Sequence, residues 1–353
     1  MDLSFYKDKR VFITGHTGFK GTWLCRMLVG AGAIVTGYSL KPPTEPNLYS
    51  LSGVDDRITS VIGDVRDFEA LQQAFKEARP EIVLHLAAQP IVLESYRDPR
   101  YTYETNVMGT VNILECARLS DTVRSLVNVT TDKVYKNNEL QNHGFTEDEP
   151  LDGYDPYSNS KSCSELVTHS YINSFFKDSQ VAVSTCRAGN VIGGGDFAVD
   201  RIIPDCVRSM QAGQTIGVRN PYSTRPYQHV LEPLAVYLMI AQRQYEDRTF
   251  AGFYNVGPDD CDCLTTGQLV DLFCRCWGDG ASWEDRSVPD APHEASFLKL
   301  NTDRLKATFG WQPRWHMETC MQMVCDFSKK WLAGQDLPAE MDREITDYYS
   351  QRF

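Results

Sequence analysis

Short apolar runs alternate with stretches of helical spacing through the first half of the chain. Six runs rich in β-branched residues are separated by stretches in which apolar residues recur every three or four positions. These runs are residues 11–14, 33–38, 58–62, 81–89, 126–129 and 181–186. Strands that alternate with helices in this way predict a parallel sheet covered on both faces. The predicted fold class is therefore α/β, with a Rossmann-type doubly wound parallel sheet.

After residue 188 the alternation loosens, and the chain becomes rich in turns. Helical patterns recur at residues 231–241, 265–277, 302–309 and 317–332. We predict one large domain over residues 1–188, to which the chain returns around 228–256. Residues 189–353 would mainly form a smaller mixed α/β domain.

A glycine motif follows the first predicted strand, where Gly15, Gly18 and Gly21 have the spacing G-x-x-G-x-x-G. A strand, a glycine turn and a helix together indicate a dinucleotide site, because the backbone can approach a pyrophosphate at the helix N-terminus. An ordinary βα turn is the alternative. The second strand ends in Tyr38 and Ser39 rather than in the usual acid that binds the ribose hydroxyls, which leaves NAD and NADP both open, and Lys41 could contact a 2′-phosphate. Asp64, after the third strand, is a candidate for the adenine amino group or for a helix N-cap.

The stretch from Thr130 to Lys161 contains the candidate chemistry. Thr131, Asp132 and Lys133 follow an apolar strand directly, so their side chains should lie where that strand opens into a crevice. Tyr157 and Lys161 fall one helical turn apart. The ammonium would then favour the phenolate form of Tyr157, which would make the phenol a usable base.

Composition and charge exclude several classes of partner. The net charge of -12 argues against nucleic acid or an anionic membrane as the main partner. The chain shows no signal peptide and no apolar stretch near the roughly 20 residues of a membrane span. The 11 cysteines are an odd number spread through predicted core segments, which indicates reduced thiols in a cytoplasmic protein. Two Cys-x-Cys pairs raise the alternative of zinc, but structural cysteines are preferred and no metal is predicted.

Several cations occur among the turns of the second half: Arg201, Arg219, Arg225 and His229. As a group they suit a diphosphate. Solvated arginines that pair with an acidic surface are the alternative for any one of them.

Motifs along nearly the whole chain resemble the extended short-chain dehydrogenase/reductases that act on nucleotide sugars. The glycine motif, Leu86 to Pro90, Tyr103 to Thr110, Thr131 to Tyr135 and Asp155 to Lys161 are shared broadly in that superfamily. Ala188 to Asp196 and Thr224 to Leu234 are more particular to its CDP-sugar dehydratases. Two departures are Tyr227, where the family usually has Trp, and Asp262 with its flanking cysteines.

The resemblance implies NAD-dependent 4,6-dehydration of CDP-glucose. Tyr157 would take the proton of the sugar 4-hydroxyl while hydride passes from C4 to NAD; water then leaves across C5 and C6, and hydride returns to C6. Thr131 would bind the 4-oxygen, Asp132 would protonate the departing hydroxyl and Lys133 would take the C5 proton, where dTDP-glucose relatives have Glu. The implied cofactor contacts are Gly15, Thr17, Gly18, Phe19, Gly21, Asp64, Val65, Leu86, Ala87, Ala88, Gln89, Asn106, Tyr157 and Lys161. The implied substrate contacts are Asn190, Arg201, Arg219, Arg225 and His229.

The resemblance also implies a homodimer or a dimer of dimers, in which the helices that contain Asn106 and follow Tyr157 form a four-helix bundle. Two other classes remain as alternatives. An epimerase or dehydrogenase of the same fold would lack the pair Asp132 and Lys133, and a cofactor-binding regulator need not keep Thr131, Tyr157 and Lys161 together.

Overall fold

The computed structural model describes residues 2–138, 143–287 and 297–350. In these residues the strands are β1 (Arg10–Thr14), β2 (Ile34–Ser39), β3 (Thr59–Ile62), β4 (Ile82–His85), β5 (Ser125–Val129), β6 (Ala182–Ala188), β7 (Asn190–Ile192), β8 (Ile216–Val218), β9 (Thr224–His229), β10 (Phe253–Val256), β11 (Cys263–Thr265) and β12 (Trp283–Asp285). The helices are α1 (Phe19–Gly30), α2 (Leu48–Leu51), α3 (Phe68–Ala78), α4 (Val92–Arg97), α5 (Pro99–Tyr103), α6 (Gly109–Arg118), α7 (Pro156–Tyr171), α8 (Ile202–Gln211), α9 (Leu231–Glu246), α10 (Thr266–Trp277), α11 (Asp303–Phe309), α12 (Met317–Leu332) and α13 (Leu337–Ser350).

Seven parallel strands form the central sheet in the order β10-β6-β5-β4-β1-β2-β3. The predicted α/β class with a parallel, doubly wound sheet is confirmed. The strand order reverses at β1, which lies between β2 and β4. In such sheets, ligands bind outside the carboxyl ends of the strands at this reversal.

Apolar side chains cover both faces of the sheet. On one face, Trp23 and Leu24 of α1 lie in the same core cluster as Leu234 of α9. On the other face, Phe75 of α3 and Ile113 of α6 pack into a second cluster. Burial on both faces explains why the strands appear in the sequence as continuous apolar runs rather than alternating patterns.

Residues after β6 build two small sheets, one of β11-β9-β7 and one of β12-β8. In the first, β7 is parallel to β9 and β11 is antiparallel to it. The chain then returns to the central sheet, where β10 pairs with β6. The division into a cofactor domain and a substrate domain stays a prediction.

The helix α13 brings the far end of the chain back to α1. Arg26 of α1 is buried, and its Nε donates to the carboxylate of Asp342 at 2.7 Å. Its Nη1 donates to the carbonyl oxygen of Ser52 at 3.0 Å. The helix α13 was not predicted from the apolar pattern, because its buried positions include Glu340 and Glu344 as well as apolar residues.

All 11 cysteines are free thiols, in agreement with the prediction of reduced cysteines. Among the described residues, no helix is both long enough and apolar enough to cross a lipid bilayer.

Candidate active site

The glycine motif forms a tight loop between β1 and the first turn of α1. Gly15 has a φ of +79°, and a Cβ there would lie 2.9 Å from the backbone nitrogen of Ala87. A Cβ on Gly21 would lie 2.1 Å from the carbonyl oxygen of Gly15. Gly18 is the N-cap of α1, and no side chain caps the free backbone N–H groups there. The loop therefore presents uncapped N–H donors at the carboxyl end of β1, as an anion site requires.

Replacing Gly21 by Ala should unfold this loop locally and weaken dinucleotide binding at least ten-fold, because the new methyl group would overlap the Gly15 carbonyl. Gly30→Ala, at the other end of α1, is the matched control because a Cβ there meets nothing within 4 Å. It should leave binding unchanged and raise stability by roughly 0.5–1 kcal/mol. Titration with NAD and thermal unfolding would measure both effects, and equal binding by the two variants would contradict the steric argument.

The residues after β4 are held by side chains behind them. The hydroxyl oxygen of Thr14 accepts from the backbone N–H groups of Leu86 and Ala87, each at 3.2 Å. Asn106 accepts from the Gln89 N–H at 2.8 Å and donates to the Gln89 carbonyl at 3.1 Å. Asn106 is buried, so it positions this segment from behind.

Thr17 and Asp64 are also engaged within the protein. The Thr17 hydroxyl donates to the Leu40 carbonyl at 2.8 Å, which ties the glycine loop to the end of β2. The Asp64 carboxylate pairs with Arg66 at 2.6 Å, and this pairing lowers the pKa of Asp64. Asp64 is thus held as an acceptor at the end of β3, beside the buried Val65.

A buried ion pair fixes the end of β5 against α7. Glu165 of α7 accepts from the Thr130 hydroxyl at 2.6 Å and from Arg187 of β6 at 3.0 Å. Burial raises the pKa of Glu165, but hydrogen bonding from His169 and the charge of Arg187 outweigh burial and hold that pKa at about 2. This network ties Thr130, directly after β5, to α7 and β6.

Acid should therefore weaken the fold through Glu165. Because the pKa of Glu165 is about 2 in the folded chain and about 4.3 when unfolded, its stabilisation is complete above about pH 4.3 and is lost as the pH falls towards 2. In Glu165→Gln the unfolding free energy should fall less steeply over this range. At neutral pH it should be about 3–5 kcal/mol lower than in the wild type, since Arg187 loses its charged partner.

Denaturant unfolding at a series of pH values would measure this change. Glu69→Gln, on the exposed surface of α3, is the control and should keep the wild-type slope. An unchanged slope in Glu165→Gln would show that this carboxylate does not carry the acid sensitivity.

Thr131, Asp132 and Lys133 lie together where β5 ends. The Thr131 hydroxyl donates to Asp132 Oδ1 at 2.9 Å, and Lys133 Nζ lies 3.7 Å from the same oxygen. Asp132 is only 1% exposed, and its Oδ2 has no hydrogen-bond partner. Lys133 Nζ also donates to Asn190 Oδ1 of β7 at 3.5 Å. A buried carboxylate oxygen without a partner is a candidate contact for a bound ligand.

Tyr157 reaches the same place from the first turn of α7, which begins behind the N-cap Asp155. Burial raises the pKa of Tyr157 to about 12, against a hydrogen bond to Thr131 that lowers it. Asp132 raises this pKa further, whereas Arg201 lowers it. From the sequence, the lowering effect was predicted to come from Lys161. In the structure the groups with the largest lowering effects on the phenol are Thr131 and Arg201.

Lys161 lies beside the end of β5, where its Nζ donates to the Val129 carbonyl at 3.1 Å. Burial lowers the pKa of Lys161 to about 8. The side chain therefore remains mostly an ammonium at neutral pH. Its charge reaches Lys20, whose pKa it lowers.

Two charged residues of this crevice were not predicted from the sequence, Lys20 and Asp196. Burial lowers the pKa of Lys20 to about 8, Arg201 lowers it further, and Asp132 and Asp196 raise it. Asp196 Oδ2 pairs with Arg201 at 3.0 Å. The available signal was position alone: Lys20 precedes Gly21 on the turn of α1 that faces the crevice.

Arg219 and Arg225, two further predicted substrate residues, contact other groups of the protein. Arg219 is half exposed and pairs with Asp200 at 2.7 Å. Arg225 is buried on β9 and donates to the Thr224 carbonyl at 3.0 Å. Tyr227 lies on the same strand, at the position where the family usually has Trp. It is buried, and its hydroxyl lies 3.1 Å from that of Thr266.

The structure corrects the interpretation of His229 as a substrate contact. This residue has no exposed surface, and its ring packs between Trp23 and Trp315. Burial lowers its pKa to about 3, so the imidazole is neutral. A ring with no exposed surface does not reach a bound diphosphate directly, and His229 instead joins the end of β9 to α1 and α13.

Comparison with known proteins assigns the chain to a family. Residues 12–324 match the family model described as GDP-mannose 4,6 dehydratase. The chain belongs to this family. Over 99% of its length and 99% of the relative, it is 48% identical to a protein of Salmonella typhimurium named CDP-glucose 4,6-dehydratase.

Solved structures with lower sequence identity share the fold of this chain. The dTDP-glucose 4,6-dehydratase of Streptomyces venezuelae, solved with NAD bound, aligns with a TM-score of 0.79 at 22% identity, over 92% of this chain and 98% of that one. The UDP-glucose 4-epimerase of Thermotoga maritima, solved with UDP-glucose, aligns with a TM-score of 0.79 at 20% identity, over 91% and 99%. One fold therefore carries both a dehydratase and an epimerase, and the side chains in the crevice must distinguish them.

Proposed function

We propose that this protein is a nucleotide-sugar 4,6-dehydratase, a hydro-lyase that converts CDP-D-glucose to CDP-4-keto-6-deoxy-D-glucose. The observation that carries the proposal is the pair Asp132 and Lys133, which are 3.7 Å apart at the end of β5. They lie beside Thr131, to which Tyr157 is hydrogen-bonded. Elimination of water requires an acid and a base in addition to the tyrosine of the redox step, and this pair supplies two such groups. The identity of 48% with a relative named CDP-glucose 4,6-dehydratase supports the choice of substrate.

We infer that the cofactor is NAD, held by the loop of Gly15, Gly18 and Gly21. The loop fits a dinucleotide because Gly15 and Gly21 have no side chains, which leaves space for close approach to the backbone. A Cβ on either glycine would collide with backbone atoms. When bound, NAD supplies the hydride acceptor for C4 and the donor that returns hydride to C6. Segment 86–89, braced by Asn106, would form the wall beside the nicotinamide half, and Asp64 would accept from the adenine.

Tyr157 is the base for the sugar 4-hydroxyl in this proposal. With a pKa of about 12 in the ligand-free chain, the phenol is protonated, so it gains base character only when positive charge accumulates around it. Arg201 lowers this pKa in the structure, and we propose that the Lys161 ammonium, one helical turn from Tyr157, adds to this positive charge. Thr131 would hold the 4-oxygen, because its hydroxyl already bonds to the phenol.

Asp132 and Lys133 carry the elimination. The acid that protonates the C6 hydroxyl must begin as a carboxylic acid, and the base at C5 must begin as a neutral amine. Transfer of one proton from the Lys133 ammonium to the Asp132 carboxylate produces both forms at once, without a change in net charge. A closed, water-poor site favours this neutral form over the ion pair. The separation of 3.7 Å is short enough for transfer with little movement or through one hydroxyl.

We propose Asn190 and Arg201 as the substrate residues beside this cluster. Asn190 contacts Lys133, and Arg201 is 36% exposed beside Asp196. A partly exposed guanidinium at the crevice suits a diphosphate oxygen. The roles of Arg219 and Arg225 stay predictions.

We further propose a homodimer formed by the helices around α7. Tyr103, Met108, Leu166 and Phe175 are large apolar side chains exposed by 36%, 50%, 54% and 49% in the single chain. Covering them with the same surface of a second chain would give the four-helix arrangement expected from the resemblance. Leu166→Glu should shift the mass measured by light scattering to that of one chain, and an unchanged mass would exclude this surface as the dimer interface.

The free thiols suit a reducing compartment, and we infer a cytoplasmic location.

The decisive experiment uses the purified chain with CDP-glucose and no added reductant. A dehydratase will form a product with the ultraviolet absorbance of a 4-keto sugar in alkali. An epimerase would instead return a hexose without a ketone, and this signal would be absent. Absence of the signal with CDP-, dTDP-, UDP- and GDP-hexoses would refute the proposal.

A further inference from the structure

Three side chains with metal-binding atoms meet away from the crevice: Cys261, Asp262 and His316. His316 Nδ1 lies 2.8 Å from Asp262 Oδ2 and 3.8 Å from the Cys261 sulfur. The sulfur lies 3.7 Å from the same carboxylate oxygen. Thiolate, imidazole and carboxylate together are the donor set that zinc takes in proteins.

These separations are close to the edges of a tetrahedral zinc site. Bond lengths of about 2.3 Å to sulfur and about 2.0–2.1 Å to nitrogen and oxygen give edges of about 3.5–3.6 Å to sulfur and about 3.3–3.4 Å between nitrogen and oxygen. Both observed sulfur distances lie within about 0.3 Å of these values. The nitrogen and oxygen must separate by about 0.5 Å as the metal replaces their hydrogen bond.

Two rigid elements hold the three ligands in place. Asp262 is buried just before β11, and its other oxygen accepts from the Met317 N–H at 2.8 Å, at the start of α12. His316 is the N-cap residue of the same helix. The carboxylate is thereby oriented with Oδ2 towards the imidazole and the thiol, so little reorganisation would precede metal binding.

The other donors nearby are committed elsewhere. Asp259 pairs with Lys306 at its side chain, and Asp260 pairs with Lys299 at 3.0 Å. Cys263 is directed to the Asp259 carbonyl at 3.9 Å. Within residues 2–138, 143–287 and 297–350 the cluster thus has three ligands, and the exposure of Cys261 and of 58% of the His316 side chain leaves the fourth position to water.

We propose that Cys261, Asp262 and His316 bind one zinc-class divalent cation. The cation would join the start of α12 to β11. The strand β11 pairs with β9, with Leu264 opposite Arg225. The bound cation would therefore stabilise this small sheet without contacting the active-site residues. Zinc should therefore raise the unfolding temperature while leaving the catalytic pair untouched.

The test uses the reduced, chelator-treated full chain and Co²⁺ as the probe. We expect a thiolate-to-cobalt charge-transfer band in the near ultraviolet that saturates at one equivalent per chain and disappears when Zn²⁺ is added. Cys261→Ser should abolish the band. His316→Gln should weaken binding by at least the roughly 10- to 100-fold loss caused by changing a partner of a metal ligand.

Cys263→Ser is the matched control, because it removes a thiol two residues away that has a different partner, and it should keep the band. Circular dichroism would show that each variant is folded, and His316→Gln provides an independent test if Cys261→Ser does not fold. If Asp262 and His316 only cap α12, no variant and no wild-type sample will give the band. That outcome, or an equal band in Cys261→Ser, would overturn the proposal.

Discussion

Tyr157→Phe should lower the turnover number for CDP-glucose by roughly 10²- to 10⁴-fold, the usual contribution of a positioned acid or base. The phenylalanine ring keeps the packing at the start of α7 but cannot take the proton of the 4-hydroxyl. Substrate affinity, measured by calorimetry, should change little, because the diphosphate contacts lie elsewhere in the proposal. The wild-type rate should also rise with pH, since the phenol has a pKa of about 12 before ligands bind and only its deprotonated form acts as a base.

Tyr154→Phe is the matched control for this variant. Tyr154 lies three residues earlier and is 75% exposed, so its hydroxyl is remote from the buried cluster. The Tyr154→Phe variant should turn over CDP-glucose at the wild-type rate. Near-normal activity of Tyr157→Phe would assign the first proton transfer to another group and remove the main premise of the mechanism.

Lys133→Met should separate the two halves of the reaction. Oxidation at C4 needs only Tyr157, Thr131 and the cofactor, so it should proceed within a few-fold of the normal rate. Removal of the C5 proton should then fail, and overall turnover should fall by roughly 10²- to 10⁴-fold. Reduced cofactor would accumulate with the 4-keto hexose, which single-turnover absorbance can follow.

Lys136→Met provides the control for loss of a lysine near the site. Its side chain is 57% exposed and pairs with Asp152 at the surface. The Lys136→Met variant should show the wild-type rates of C4 oxidation and of overall turnover. Unchanged overall turnover in Lys133→Met would refute its role as the base, whereas loss of C4 oxidation as well would mean that Lys133 supports the site rather than the elimination.

Much of the fold was predictable because its signals are local. The run from Val11 to Thr14 followed by Gly15 predicts a strand and a tight turn from residue preferences alone, and the structure contains both. The polar residues directly after the apolar run of β5 were expected where that strand opens into a crevice, and Thr131, Asp132 and Lys133 lie together at its end. The spacing of Tyr157 and Lys161 likewise placed both on α7.

The rest depends on contacts between distant segments, which periodicity does not encode. His229 is adjacent in sequence to polar residues, yet its ring lies in the core because α1 and α13 supply Trp23 and Glu344 around it. Lys20 belongs to a motif that explains only its glycines. Cys261 and His316 are separated by 55 positions, so neither the Cys-x-Cys spacing nor the helical pattern pointed to their meeting.

The contact between Arg26 and Asp342 also sets an order of events during synthesis. These residues are 316 positions apart. At about 5–20 residues per second, the ribosome adds Asp342 roughly 15–60 seconds after Arg26. Through that interval the face of α1 that later meets α13 lacks this partner, so the contact can form only after α13 has been made.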